Sequence, residues 1–459
     1  MQKIIILLFS IFWFSPDSRS QQTFSLDDAV KYGLQQNNEI KLKNLAVSDA
    51  AAQVKEFKAI GLPIVSSSVN YQYYLAVPAQ PVADFIGPSV YNILFNENVI
   101  PSRELDAPQT FKFSLFQPNS LSAGLEVSSM LFDGSYLYGV KAARFYKELV
   151  AQEKEVSIQT IKENITKAYL SVLLAQENLM VMENNLLNLS KSLNEIKAMF
   201  DNGFAESLDV DRLQLSYDNL STETENITQL VQITKNLLKY QMNFPMNQEI
   251  QLSQTITDLM ISWNNAAELE KAGVDFSQRQ EYKLIQLGQD LNQLDYLRTK
   301  AGYYPTLRGF ANVQGNLYRK DLFDKNETGW IPQSAVGLAL QIPIYDGGQK
   351  SAKLQRVKIR TMESDIEKQN LENSIQLQVT NAFISYKSAS NGLENRKKAL
   401  STTQNIYNKT LIKFREGVGS SLEVTQAESD LYMAQSRYTD AVYNVLSALL
   451  DWKTALGRI

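Results

Sequence analysis

From Ile158 to Phe200 the chain places an apolar residue at every third or fourth position without a break. The series is Ile158, Ile161, Ile165, Ala168, Val172, Ala175, Leu179, Met182, Leu186, Leu189, Leu193, Ile196 and Phe200. A mean spacing of about 3.5 keeps one stripe of a helix facing a partner and imposes a left-handed supercoil. Asp201-Asn202-Gly203 closes the stripe with turn residues. A second stripe then returns through Val210, Leu213, Tyr217, Leu220, Thr224, Ile227, Val231, Thr234 and Leu238. The spacing predicts a long antiparallel helical hairpin, since ordinary bundle helices seldom run this far without a cap.

The hairpin occurs twice. Phe414-Arg415-Glu416-Gly417 matches Phe200-Asp201-Asn202-Gly203 at an offset of 214, and Ser421-Leu422-Glu423-Val424 matches Ser207-Leu208-Asp209-Val210 in the same register. The second return stripe is Val424, Ala427, Leu431, Ala434, Tyr438, Ala441, Val445, Ala448 and Trp452. Upstream, Leu131-Phe132-Asp133-Gly134 parallels Ile344-Tyr345-Asp346-Gly347. The stretch from Asn38-Glu39 to Pro63 parallels Gln280-Glu281 to Pro305 at an offset of 242. The larger upstream offset implies an insertion in the first copy, between these landmarks. The chain therefore reads as two copies of one unit.

Each unit also contains segments of period two. After Gly61-Leu62-Pro63 stops a helix expected from Ser25 to Ile60, Val65, Ser67, Val69, Tyr71, Tyr73, Leu75 and Val77 fall on one face. Ser66, Ser68, Asn70, Gln72, Tyr74 and Ala76 fall on the other. A strand of this length and alternation suits a bilayer with lipid on one side and water on the other. A second strand carries Leu121, Ala123, Leu125, Val127, Ser129 and Leu131. A third runs from Thr306 to Leu317, and a fourth from Ala335 to Ile342. Residues 78–118 hold six of the twelve prolines and read as a surface loop, with a short β-extension at Phe111, Phe113 and Leu115.

The expected organisation follows. Residues 1–20 form a signal peptide, with Lys3 as the positive region, Ile4 to Phe14 as an apolar stretch too short to span a bilayer, and Ser18-Arg19-Ser20 before cleavage at Gln21. Residues 21–245 form the first repeat: a helix opened by Ser25, two strands within 64–132 and a helical hairpin over 139–242. Residues 246–459 form the second. It has an irregular link within 246–274 that includes a short helix at Trp263–Gly273, a helix over Asp275–Lys300, two strands within 305–344 and a hairpin over 350–457. The fold class is mainly α with a transmembrane β-barrel part. Four strands cannot close a barrel alone, and lipid-exposed sheet edges are not tolerated, so a membrane barrel would be shared between chains.

Composition narrows the function. The net charge is −4, with both signs spread along the helices and no basic stripe for nucleic acid. The chain has no His and no Cys, which removes Ser-His-Asp triads, thiolate nucleophiles and ordinary zinc sites. Neither cofactor motif nor metal cluster is read, and no enzyme is expected. Acidic neighbours such as Asp27-Asp28 or Glu153 with Glu155 sit on expected helix surfaces, where solvated charge explains them.

The chain resembles the TolC-like outer-membrane efflux protein family over essentially its whole mature length. The most specific residues are the two segments from Phe200 to Val210 and from Phe414 to Val424, at equivalent places in a strand-strand-hairpin repeat. The resemblance implies a homotrimer whose twelve strands form a barrel in outer-membrane lipid of a Gram-negative bacterium, continued by an α-helical coiled-coil barrel in the periplasm. It implies a passive exit duct of a tripartite export system, with a periplasmic adaptor and an inner-membrane pump as partners. It places adaptor contacts at the tip turns: Gly203, Phe204 and Ser207 in the first, Gly417, Val418, Gly419 and Ser421 in the second. It places a channel constriction at Asp209, Glu423 and Gln426, the last where some members carry an acid. Phe414 and Gly419 stand where well-known members have an aromatic hydroxyl and an arginine, so a lock built from those two groups is not expected. The competing reading is an exported coiled-coil structural or adhesive protein without channel activity, which would need neither alternating strands nor matched tips. A simpler reading of Asp209 and Glu423 makes them helix-start acids facing the dipole.

Overall fold

The computed structural model describes residues 22–459 apart from 108, 115, 264–268, 271–272, 325 and 328. The signal-peptide segment, Leu115 and much of the helix expected at Trp263–Gly273 lie outside the described residues. In chain order the elements are β1 (Gln22–Phe24), α1 (Leu26–Gln36), α2 (Asn38–Ala59), β2 (Ile64–Tyr73), β3 (Gln80–Ala83), α3 (Ile86–Asn96), β4 (Thr110–Phe113), β5 (Asn119–Phe132), α4 (Gly134–Asp201) and α5 (Ser207–Met242). Then follow β6 (Ile250–Leu252), α6 (Ile256–Ser262), α7 (Gln280–Ala301), β7 (Thr306–Arg319), β8 (Ile331–Gln341), α8 (Gln349–Arg415) and α9 (Ser421–Ala455).

Local chemistry sets the helix ends. The Asp28 N–H donates to Ser25 Oγ at 3.2 Å while the Ser25 hydroxyl donates to Asp28 Oδ2 at 2.6 Å, a reciprocal cap for α1. The single helix expected to reach Ile60 is interrupted at Asn37, whose ψ is 129°. Asn37 Oδ1 accepts the Glu39 N–H at 2.8 Å, and its Nδ2 donates to the Gln241 carbonyl at 3.2 Å, so a tertiary contact ends one helix and starts the next. The link expected to be irregular over 246–262 contains β6 and α6, the latter ending at Trp263. The helix expected from Asp275 begins at Gln280, after a 3₁₀ turn at Phe276–Gln278. The long helix begins at Gly134 rather than Gly139 and has 68 residues, about 100 Å at the usual rise.

Two compact units are present, and each draws on both sequence repeats. Residues 52–143 and 293–358 form one, and the remainder of the described chain forms the other. In the second of these, which is helical, β1 and β6 pair in parallel over a core that includes Phe24, Ile165, Tyr169, Leu238, Met242 and Ile250. A neighbouring cluster joins Ile375, Val379, Leu449 and Trp452, with the Phe383 and Tyr386 rings 5.1 and 5.4 Å from that of Trp452. The stripe read from the sequence is the buried one: Ile161, Ile165, Ala168, Val172, Ala175, Leu189, Leu193 and Ile196 are all buried, while Phe200 at its end is exposed. The ends of α5 and α9 are built alike. Asn243 (φ 55°) and Gly457 (φ 71°) take the left-handed conformation. The next N–H reaches back five residues in each, Phe244 to Lys239 O and Arg458 to Lys453 O, both at 2.8 Å.

The other unit is built on an antiparallel sheet in the order β2-β5-β7-β8. The register carries one alternation across all four strands. Val65, Val127, Ala311 and Val336 stand in a row, as do Val69, Ala123, Gly315 and Pro332, while the opposite face has rows such as Ser66, Glu126, Asn312 and Ala335. The apolar face is uncovered: Val69, Leu125, Val313 and Val336 are 68, 58, 63 and 87% exposed. Among the described residues, β2 and β8 each have one unpaired edge in the single chain. The proline-rich stretch is more ordered than a surface loop. β3 pairs with β4, extending the β2–β5 pair through the Tyr74 N–H to Pro118 carbonyl bond at 2.8 Å, and α3 lies between them in sequence. Pro88 is tolerated in α3 because it falls in the first turn, where its missing N–H would be unpaired anyway.

Candidate functional site

The two hairpin tips are the same turn made twice. Gly203 has φ 78° and Gly417 has φ 76°. In the first, the Gly203 N–H donates to Phe200 O at 2.9 Å and that of Phe204 to Met199 O at 2.8 Å. In the second, Gly417 donates to Phe414 O and Val418 to Lys413 O, both at 3.0 Å. Nothing lies within 4 Å of a Cβ built on either glycine, so the requirement is the positive φ alone. Past the turns, Phe204 and Val418 are 80 and 78% exposed, and Leu208 and Leu422 are exposed beside them. Ser207 is exposed, whereas its counterpart Ser421 is buried. Gly419 lies against the backbone of Lys413 and Phe414.

An apolar core joins the two hairpins below the turns. Leu189, Leu193 and Ile196 of α4 pack with Leu213 and Leu220 of α5, and Phe414 of α8 and Tyr432 of α9 lean on the same cluster. Five buried aliphatic side chains contribute on the order of 10 kcal/mol against an extended chain, an upper bound. The polar contacts around this core are worth far less each. The Arg415–Glu195 ion pair between α8 and α4, at 3.0 Å, is half exposed on both sides and worth about 0–1 kcal/mol. The apolar core therefore holds the tip, and the polar groups fix which hairpin faces which.

The three constriction residues have different surroundings. Glu423 and Gln426 are exposed on α9, and the Gln426 amide donates to Asp430 at 3.1 Å. The Glu423 N–H donates to Ser420 Oγ at 3.3 Å, so this acid sits in the first turn of α9, beside its cap. Asp209 is half-buried. It accepts the Glu206 N–H at 3.2 Å and also the hydroxyl of Ser421, which ties α5 to α9. Asp209–Ser421 and Arg415–Glu195 are two of the polar contacts between the hairpins near the turns, and Phe414 and Gly419 supply neither a phenol nor a guanidinium there.

Sequence reasoning missed the most enclosed polar group at the tip. Glu428 of α9 is 2% exposed and accepts the Tyr432 hydroxyl at 2.5 Å. That hydroxyl also lies 3.4 Å from the Asn185 carbonyl of α4, and the Asn185 amide donates to Gln435 at 2.7 Å. Burial pushes the Glu428 carboxyl up from its ordinary value, opposed by the Tyr432 hydrogen bond. The phenols of Tyr432 and Tyr407 are pushed up by burial and then by the neighbouring Glu428. The signal was available: Glu428 is four residues after Val424 and three before Leu431, on the seam itself.

Among the described residues, no group of His, Cys, Asp and Glu could hold a metal ion, and no helix is long and apolar enough to cross a membrane. A four-stranded sheet with an apolar outer face, set in a repeat of long helical hairpins, is the architecture of an outer-membrane channel protein. Residues 286–458 match the family model described as outer membrane efflux protein. The chain is 24% identical over 366 residues to outer membrane protein TolC of Escherichia coli, covering 74% of this chain and 70% of that one. It superposes on the structure of CusC with a TM-score of 0.72 at 15% identity, covering 95% of this chain and 93% of that one. It superposes on the open state of the MtrE outer membrane channel of Neisseria gonorrhoeae with a TM-score of 0.69 at 14% identity, covering 94% and 88%. The chain is therefore similar in sequence to TolC-like outer membrane efflux proteins and shares the fold of the solved outer membrane channels.

Proposed function

We propose that three copies of this chain close their sheets into one twelve-stranded barrel in the outer membrane and line a duct with their helices. The chain is an outer-membrane efflux channel, conducting cargo passively. The carrying observation is the two-faced sheet with β2 and β8 left open, since an unpaired edge has no place in lipid. An uncovered apolar stripe on α8, with Ile359, Met362 and Ile366 about half exposed, supports helix contacts between copies as well. The partners proposed are a periplasmic adaptor and, through it, an inner-membrane pump that supplies the energy. The adaptor would meet the tip turns at Gly203, Phe204, Ser207, Gly417, Val418, Gly419 and Ser421. The exposed Phe204 and Val418, each beside a leucine, support that surface. Asp209, Glu423 and Gln426 are proposed to bound the pore at the tip, with three copies of Glu423 favouring cations.

The testing experiment is planar-bilayer conductance of the detergent-purified mature chain, with oligomeric mass taken from the same sample. Trimers giving cation-selective channels are expected. A monomer that never inserts would overturn the duct and return the chain to the coiled-coil structural reading.

A further inference from the structure

The Glu428 carboxyl sits where two hairpins meet. Its own helix α9 supplies Tyr432, α4 supplies the Asn185 carbonyl and Leu189, and Tyr407 of α8 faces it. A cleft of about 420 Å³ runs past it between α4, α5 and α9, bordered by Ser216, Asn219 and Gln426. Arg415 and Glu195 lie near Tyr407 but are paired with each other at 3.0 Å. Among the described residues no cation forms an ion pair with Glu428. This burial exists within one chain, so assembly can only deepen it.

A buried carboxylate without a cation is costly, and the ordinary response is to take up a proton. The geometry offers a complete chain for the neutral form. Glu428 donates to the Tyr432 oxygen, and the Tyr432 hydroxyl turns to the Asn185 carbonyl. The ionised form accepts the Tyr432 hydroxyl but leaves a net charge enclosed by Leu189 and Tyr407.

We infer that Glu428 is a proton-binding site that locks α9 of the second hairpin against α4 and α5 of the first, so that losing its proton loosens the tip. The site regulates the tip proposed above and rests on that reading for its effect on conduction. The sign follows from burial. A carboxyl whose value is raised in the packed state favours packing fully below the ordinary carboxylate range, and that contribution is lost as pH rises through the raised value. Glu428 is a positioning residue in this role, since it need not touch cargo. The cleft gives the proton its route.

The test is the pH profile of single-channel conductance in purified trimers, together with the spin-label distance between Ala198→Cys on α4 and Lys413→Cys on α8. These introduced thiols are the only ones in the chain. Conductance and label distance should both rise as pH is raised above the ordinary carboxylate range. Glu428→Gln keeps the shape and the neutral hydrogen bonds, and should hold the low-pH behaviour at all pH values. Tyr432→Phe removes the bond that favours the ionised form and should move the transition to higher pH. Glu423→Gln, which changes the exposed acid, should leave the transition in place. An unchanged profile in Glu428→Gln, or a transition abolished by Glu423→Gln alone, would overturn the inference while the duct stands. A wild-type trimer without channels would sink the duct reading instead, and the label distances would then still decide the proton site.

Discussion

The two tips share a backbone and differ in what they enclose. The turn geometry repeats to within a few degrees at Gly203 and Gly417, with the same pair of hydrogen bonds. Four residues apart on each return helix lies a hydrogen-bonded pair at equivalent positions. In α5 it is Gln214 to Asp218 at 2.9 Å, with Asp218 exposed. In α9 it is Tyr432 to Glu428 at 2.5 Å, with the acid enclosed. Asp201 at the first turn matches Arg415 at the second, and among the described residues only Arg415 of these two forms an ion pair, with Glu195. A duplicated backbone can thus keep its shape while one copy takes its charges inside. The copy with the enclosed acid is the one whose movement a proton can govern.

Mutations can break or sharpen this contrast. The largest effect is expected from Gly417→Pro, because proline cannot reach φ 76° and removes the donor to Phe414 O. Export should be abolished while trimers persist in the membrane, as read by a drug-accumulation assay beside a membrane blot. Intact export would remove the tip from the adaptor surface. Next comes the i,i+4 pair itself. Tyr432→Phe should cost about 1–3 kcal/mol, whereas Asp218→Ala should stay within about 0.5 kcal/mol, both read by thermal unfolding in detergent. Equal costs would show that burial does not distinguish the copies. Glu423→Gln should lower cation preference in reversal-potential measurements, and unchanged selectivity would return Glu423 to a helix-start role. The smallest effect is expected from Arg415→Ala, within about 0.5 kcal/mol, since both partners are half exposed and screened by salt.

The regular parts of this fold were legible because they are periodic. A stripe of period 3.5 located α4, α5 and α9, and a period of two located β2, β5 and β8 and sorted their residues onto the two faces of the sheet. Elements fixed by one tertiary contact were not legible. The break at Asn37 depends on the Gln241 carbonyl, two hundred residues away. β1 and β6 have three residues each, too few to show a period. α3 was hidden by the prolines around it. At the tip, the turns declared themselves through Gly203 and Gly417, whereas Glu428 carries no turn or motif signal and is marked only by its place on the seam. Its burial follows from the seam position it occupies, a position usually given to an aliphatic residue.

The β5–β7 ladder sets a constraint on how the chain is made. It pairs Asn119 with Arg319 and Val127 with Ala311, so the middle of the sheet joins strands separated by nearly the length of one repeat. Pairing of such long range is slow to form, since loop closure precedes any reward from contacts. The N-terminal half emerges first and has β5 with only one neighbour until β7 arrives. An apolar, half-paired ribbon in water is prone to aggregate. Biogenesis of this protein therefore calls for a holding chaperone during transit, and truncation before Thr306 should yield aggregates and not a half-channel.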